Sequence, residues 1–341
     1  MARYSSGLYS RRRKRRRGIV FTVIILLVVV LAVFWLKKDS DQQDDSVISI
    51  DVNPDETVEA PVIIPEPIEE KVVVAIKVEP EPMADPNARA DELIAEAQSL
   101  INTTPTKIIK ARMILNDVLG MHINRQQSRT VKAQLGQLAQ DWLFSKNIFP
   151  QDSLCGSYLV QPGDQLRNIA KMYKVPWEFL LTINNLPRAE SLRAGKKIKI
   201  VNGPFHAIVH RSTFTMDIYL QKDTFVKTFA IGLGKQSRQT PTGLWVVKPD
   251  GKVIKPVWTD TETGRTYYPN DEDYPLGSCW IALKGIEDDA VGQSGFGLHG
   301  TNEPNSIGTA SSRGCIRLHN GEVMEVYNML VPGLSQIRIV D

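Results

Sequence analysis

Gly297-Leu298-His299-Gly300-Thr301-Asn302, followed after eight residues by Ser311-Ser312-Arg313-Gly314-Cys315-Ile316-Arg317-Leu318-His319-Asn320, is the stretch on which the reading of this chain turns. It sets one cysteine sixteen residues after a histidine. A thiolate is a nucleophile, and an imidazole within hydrogen-bond reach can take its proton and later return it to a leaving amine. Gly314, just before Cys315, leaves room for an acyl group, and backbone N–H groups there can stabilise an oxyanion. A Cys/His pair alone says little, because most cysteines are small buried hydrophobes. His319 is an alternative base, although its place before a helix starting near Asn320 reads rather as a capping position.

Upstream of this stretch the hydrophobic pattern has period two. His206–His210, Phe214–Leu220 and Phe225–Ile231 alternate between polar turns and read as antiparallel strands of a sheet-rich domain. His206 and His210 fall on one strand face, which the pattern predicts to be solvent-facing. Gly232-Leu233-Gly234 and Thr240-Pro241-Thr242-Gly243-Leu244-Trp245 then form a Gly/Pro-punctuated turn into a further strand.

With these pieces in place, residues 205–341 resemble the L,D-transpeptidase catalytic domain of YkuD type. The resemblance rests on the G-x-G with T-P-x-G, on Pro275-Leu276-Gly277 with Trp280-Ile281, on H-G-T, on Ser306-Ile307-Gly308 and on S-x-G-C-I-R. It implies a mainly-β domain with Cys315 as nucleophile, His299 as general base and the Gly300 carbonyl orienting that imidazole. It also implies an oxyanion hole from the N–H groups around Arg313, Gly314 and Cys315, and substrate contacts from Arg317, Ser312 and Thr301. Arg313 stands where many members have histidine, which leaves no second histidine at that place.

The reaction implied is attack of Cys315 on the third, diamino residue of a peptidoglycan tetrapeptide stem. Terminal D-Ala leaves, and the thioester is resolved by an amine of a neighbouring stem. The same thioester opens two alternatives, an L,D-carboxypeptidase and an attachment of protein to peptidoglycan. A wall-binding anchor without catalysis is a fourth reading, opposed by the intact Cys315, His299 and T-P-x-G. No cofactor and no metal is implied.

Residues 158–201 run strand, helix, helix, strand. Asp164 is expected to cap a helix over Leu166–Tyr173, Trp177–Asn184 gives a second, and Leu192–Ile200 closes with a turn and a strand. The pattern V-x-P-G-D-x-L, I-A-x-x-Y, L-x-x-x-N, L-x-x-G-x-x-I-x-I resembles a LysM module along its whole length. That resemblance implies a βααβ unit that binds N-acetylglucosamine-containing glycan, here peptidoglycan.

Residues 86–145 read as three amphipathic helices. Ala90, Leu93, Ala97, Leu100 and Ile101 share a face, Thr104-Pro105 suits a helix start, and Ile108, Ala111, Leu115, Val118 and Leu119 continue the stripe. Val131, Leu135, Leu138 and Trp142 mark the third, and the segment reads as a spacer or packing layer that includes His122. Residues 39–84 hold 13 acids and six prolines, a composition that favours an extended tether.

The remaining segment is membranous in pattern. Residues 19–36 are an unbroken uncharged run, about 27 Å long as a helix, preceded by a basic arm over 1–18. No small-residue cleavage site follows, so a signal anchor is expected. The arginines would hold the N-terminus in the cytoplasm of a bacterial cell and the rest outside the inner membrane. The net charge of +3 hides this segregation, because eight of the 41 basic residues sit in the first 18 positions. The other 323 residues are net acidic, which does not suit nucleic-acid binding. Three cysteines make no disulfide scaffold; pairing of Cys155 with Cys279 stays open, and since nothing in the sequence places them within disulfide reach both are left unassigned. The expected architecture is therefore multidomain: a transmembrane helix, a helical spacer, a βααβ LysM module and a mainly-β catalytic domain.

Overall fold

The computed structural model describes residues 85–103 and 107–341. The basic arm, the apolar run 19–36, the tether 39–84 and the Thr104-Pro105 pair lie outside the described residues. Among the described residues no helix is long and apolar enough to cross a membrane.

Three helices form where the apolar stripes predict them. Helices α1 (Ala88–Thr103), α2 (Ile108–Leu119) and α3 (Arg125–Trp142) bury the expected faces, with Ala90, Ala97, Ala111, Leu115, Val118, Val131, Leu135 and Trp142 all out of solvent. A capping box opens α3: the Asn124 side chain accepts from the Gln127 N–H, and the Gln127 side chain accepts from the Asn124 N–H. The Gln127 amide also donates to the Asn87 carbonyl at 2.9 Å and to Asp91 at 2.7 Å, which ties the heads of α1 and α3 together.

The next unit is β1 (Cys155–Leu159), α4 (Leu166–Met172), α5 (Trp177–Ile183) and β2 (Lys197–Val201), with β1 and β2 antiparallel. Asp164 does not cap α4. Its carboxylate accepts from the Gln161 N–H at 2.7 Å and from the Tyr158 hydroxyl at 2.9 Å, closing the turn before the helix instead. The unit is joined firmly to α3. Lys199 is 2% exposed, and its ammonium donates to the carbonyls of Trp142 at 2.6 Å and Ser145 at 2.9 Å, a cation at a helix C-terminus. Burial lowers its pKa. Nearby, the buried pair Arg112–Asp152 is bidentate, and the guanidinium lies 4.2 Å from the Trp142 ring centre.

From residue 205 the chain builds β3 (Phe205–His210), β4 (Thr215–Leu220), β5 (Thr224–Ala230), β6 (Leu233–Gly234), β7 (Gly243–Ile254), β8 (Trp258–Thr259) and β9 (Thr266–Tyr267). It continues through β10 (Cys279–Gly285), β11 (Gly297–His299), β12 (Ala310–Ser312), β13 (Ile316–Arg317), α6 (Asn320–Met329) and β14 (Gln336–Val340). Eight strands form one sheet in the order β13-β11-β10-β7-β14-β3-β4-β5. The pairs β14–β3 and β11–β13 are parallel and the others antiparallel. Strand β5 is an edge, which helices cover: Asn116 Oδ1 on α2 accepts from the Phe225 N–H at 2.8 Å, and Lys132 on α3 reaches Asp217 at 2.6 Å.

His206 and His210 are half-buried rather than solvent-facing. Asp217 is fully buried and needs donors, so it gathers His210 Nε2 at 3.1 Å together with Lys132 and Thr228. His206 Nδ1 accepts the Gln336 N–H at 3.1 Å. Cys155 and Cys279 are both buried free thiols.

Candidate active site

Strands β10, β11 and β13 lie side by side at one edge of the sheet and carry the site. Their register sets Trp280 opposite His299 and His299 opposite Arg317. Cys315 lies in the turn that leads directly into β13, two residues before Arg317, and so enters the site from the strand that pairs with β11. Leu298 and Ile316 turn the other way and are buried.

The imidazole of His299 is 5% exposed and stacks on the Trp280 indole, with ring centres 5.6 Å apart. Its Nδ1 lies 2.6 Å from the Gly300 carbonyl oxygen. A carbonyl only accepts, so Nδ1 carries the proton and Nε2 presents a lone pair. Burial pushes the pKa down to about 4; the Gly300 bond raises it and the Arg317 charge lowers it further. His299 is therefore neutral at pH 7.

The thiol of Cys315 is half-buried, and Sγ lies 3.5 Å from the Gly295 carbonyl. Burial pushes its pKa up to about 11, against the Gly297 backbone bond and the Arg317 charge, which both favour thiolate. Cys155 and Cys279 are pushed up to about 12 by burial. Cys315 is thus the most accessible and the most acidic of the three, yet it rests as a thiol.

The turn before Cys315 is tightly determined. Gly314 has φ +110°, and a Cβ there would fall 2.6 Å from the Phe296 ring, so only glycine fits. Its carbonyl accepts from Thr240 Oγ1 at 2.9 Å, and that hydroxyl accepts from the Gly234 N–H at 3.0 Å. The G-x-G and T-P-x-G elements therefore brace the nucleophile turn. Ser312 is part of the same brace: 1% exposed, it accepts from the Gly314 N–H at 3.1 Å and donates to the Cys315 carbonyl at 2.6 Å. Ser312 therefore braces the turn, and the Gly314 N–H is already engaged.

Thr301 is likewise held within a turn. It is 3% exposed, and its hydroxyl accepts from the Glu303 N–H at 2.9 Å. Arg317 is mostly buried behind the site. One end of its guanidinium reaches Glu303 at 2.7 Å, while Nε is buried with no hydrogen-bond partner among the described residues. His319 is exposed at the N-cap of α6, and its side chain makes no capping bond. Arg313 turns away to a neighbouring hairpin, where it pairs with Asp260.

Asn320 is a functional residue that no sequence motif marks. Its Oδ1 accepts from the N–H groups of Ser278 at 3.2 Å and Thr301 at 3.1 Å, and its Nδ2 donates to the Thr301 carbonyl at 3.0 Å. A Cβ on Gly277 or Gly300 would lie 2.0 or 2.1 Å from that oxygen, which explains both glycines. Asn320 thereby holds the Gly300–Thr301 peptide, the one whose carbonyl orients His299, from its N–H side. Among the described residues no group of three or more His, Cys, Asp or Glu side chains is placed to hold a metal ion.

A buried imidazole on β11, with its Nδ1 proton held by a carbonyl, and a part-exposed thiol at the entry to the paired strand β13 are the groups that cysteine-based acyl chemistry needs. Comparison with known proteins identifies the family. Residues 204–339 match the YkuD L,D-transpeptidase catalytic domain, and residues 158–201 match the LysM domain. The chain is 32% identical to the L,D-transpeptidase YkuD of Bacillus licheniformis over 189 residues, 53% of this chain and 97% of that one. It is 31% identical to the protein of that name in Bacillus subtilis, over 54% of this chain and 98% of the other. An L,D-transpeptidase structure from Mycobacterium smegmatis aligns with 43% of this chain and 64% of its own, at 15% identity and a TM-score of 0.30. The chain belongs to the L,D-transpeptidase family of YkuD type and carries a LysM module ahead of the catalytic domain.

Proposed function

We propose that this chain is a peptidoglycan L,D-transpeptidase that works through a thioester on Cys315. The observation that carries the reading is the parallel pairing of β11 with β13, which sets His299 opposite Arg317, two residues past Cys315, with the His299 Nδ1 proton held by the Gly300 carbonyl. Both groups rest neutral, so the proton passes from Sγ to Nε2 as sulfur attacks the carbonyl of the third stem residue. The Cys315 and Arg313 N–H groups, which have no backbone acceptor among the described residues, suit the oxyanion. Collapse breaks the bond to D-Ala, whose amine takes the proton from the imidazolium. An amine of a second stem then attacks the thioester, gives its proton to His299 and expels the thiolate, leaving a cross-link between third residues.

The LysM module suits retention on N-acetylglucosamine-containing glycan. The run 19–36 and its basic flank support a single-pass anchor in a bacterial inner membrane with the catalytic domain in the periplasm. Mass analysis of purified muropeptides incubated with the enzyme tests the reaction. Cross-linked dimers lacking one D-Ala are expected; tripeptides alone would make it a carboxypeptidase. Protease added to spheroplasts tests the orientation, and a catalytic domain that stays protected while a periplasmic control is cut would overturn it.

A further inference from the structure

The hairpin β8–β9 lies in the long connection 255–278 between β7 and β10. Its two strands pair Trp258 with Tyr267 and Thr259 with Thr266. The Trp258 and Tyr267 rings stack at 5.7 Å, and the Arg265 guanidinium sits 4.3 Å from the Tyr267 centre, so the hairpin carries its own small aromatic stiffener. It has too little buried surface to hold its position by apolar packing, and polar contacts locate it.

Those contacts converge on Arg313. Its Nη1 donates to Asp260 Oδ1 at 2.6 Å and its Nη2 to Oδ2 at 3.2 Å, the fork geometry of a bidentate pair. Its Nε lies 3.1 Å from Glu262, which Arg238 also grips from the turn beside Gly234. The Asp260 side chain is only 6% exposed, whereas Arg313 is 41% exposed. Asp260 also shapes the hairpin from within, since its backbone N–H donates to the Arg265 carbonyl at 2.8 Å and its carboxylate accepts the Glu262 N–H at 2.9 Å. On the other flank, Asn302 Nδ2 donates to the Asp273 carbonyl at 3.0 Å, joining the connection to the loop after His299.

We infer that Arg313 is a positioning residue: through Asp260 it fixes the 258–267 hairpin beside the Cys315 turn, and the hairpin forms one wall of the acyl-donor site. The step from residue 313 to the nucleophile is two residues of a turn that glycine and hydrogen bonds hold rigid, so the Arg313–Asp260 pair ties the hairpin to the turn that carries Sγ. This inference rests on the proposed transpeptidase function. It differs from a proton-transfer role at position 313, because a guanidinium paired to a carboxylate stays protonated across the neutral range and cannot act as a base there. The chain thereby uses that position for geometry.

The test is a double-mutant cycle in the full chain with Arg313→Ala, Asp260→Asn and the double variant, using the disaccharide-tetrapeptide as donor. If the pair acts as a unit, each single variant raises KM about tenfold, kcat stays within about threefold, the pH profile keeps its shape, and the double variant is no worse than either single. Arg313→Lys retains the charge without the fork and gives only partial rescue. Trypsin cleavage after Arg265 supplies a readout independent of turnover, and both single variants are cut faster than the parent under native conditions. An Asp260→Asn enzyme with parental KM and parental cleavage overturns the inference, as does a loss of kcat with an altered pH profile confined to Arg313→Ala. A proposed transpeptidase function that fails shows instead as no turnover by the parent enzyme, and the trypsin comparison still decides the latch.

Discussion

The neutral resting state of the Cys315–His299 pair is open to direct measurement through alkylation of the thiol by iodoacetamide. With a pKa of about 11, the thiolate fraction at pH 7 is about 10⁻⁴, against a few per cent for an ordinary cysteine. Alkylation of Cys315, followed by peptide mass in the Cys155→Ala/Cys279→Ala background, should rise about tenfold per pH unit from pH 7 to 10 and bend only near 11. A thiolate–imidazolium pair would instead give a rate that is already level at neutral pH. A plateau between pH 5 and 8 would therefore refute the neutral thiol–imidazole pair. Turnover should fall on the acid side as His299 gains a proton near its pKa of about 4.

The same shift has a stability consequence with a definite sign. The unfolded chain takes a proton on this imidazole below about 6.5, while the folded one resists until about 4. Its contribution, about 3 kcal/mol for a group so fully buried, is whole above pH 6.5 and is lost as pH falls through 4. Urea midpoints of the parent and of His299→Gln should therefore converge between those two values, with the parent losing ground.

Further outcomes follow from single side chains. Cys315→Ser should abolish cross-linking with the fold intact, His299→Ala should lower the rate by about 10² or more, and His319→Ala should cost less than that, each read by muropeptide turnover. Asn320→Ala removes three hydrogen bonds; because the side chain is partly open to water, about 1.5–2 kcal/mol of stability should go, seen in urea unfolding, with kcat falling as the Gly300 peptide loosens. Lys199→Met should cost about 2–4 kcal/mol by the same assay, since it strands two carbonyls at the buried end of α3.

Legibility follows the range of the interactions. The Cys315 turn, the LysM pattern and the helical stripes are written in short windows, where a glycine or a period carries its own physical reason. Adjacency to a reactive residue does not reveal which way a hydroxyl points, and those of Ser312 and Thr301 are both spent inside turns. Asp164 resembles a helix cap for the same reason. Asn320, Lys199 and Asp260 act across 19 to 57 residues of sequence, and nothing local distinguishes them from surface polar groups. Trp280 belongs to a recognisable motif, yet its place over His299 exists only once β10 and β11 are in register.

The buried ammonium of Lys199 and the Arg112–Asp152 pair leave the glycan-binding type module no hinge against the helices, and those helices in turn sit on the edge of the catalytic sheet. Such a body behaves as a ruler rather than a leash. A glycan seated on the module would meet Cys315 at one offset set by the fold, so the interval between a gripped sugar and a reacted stem would be inherited from the protein instead of chosen by diffusion.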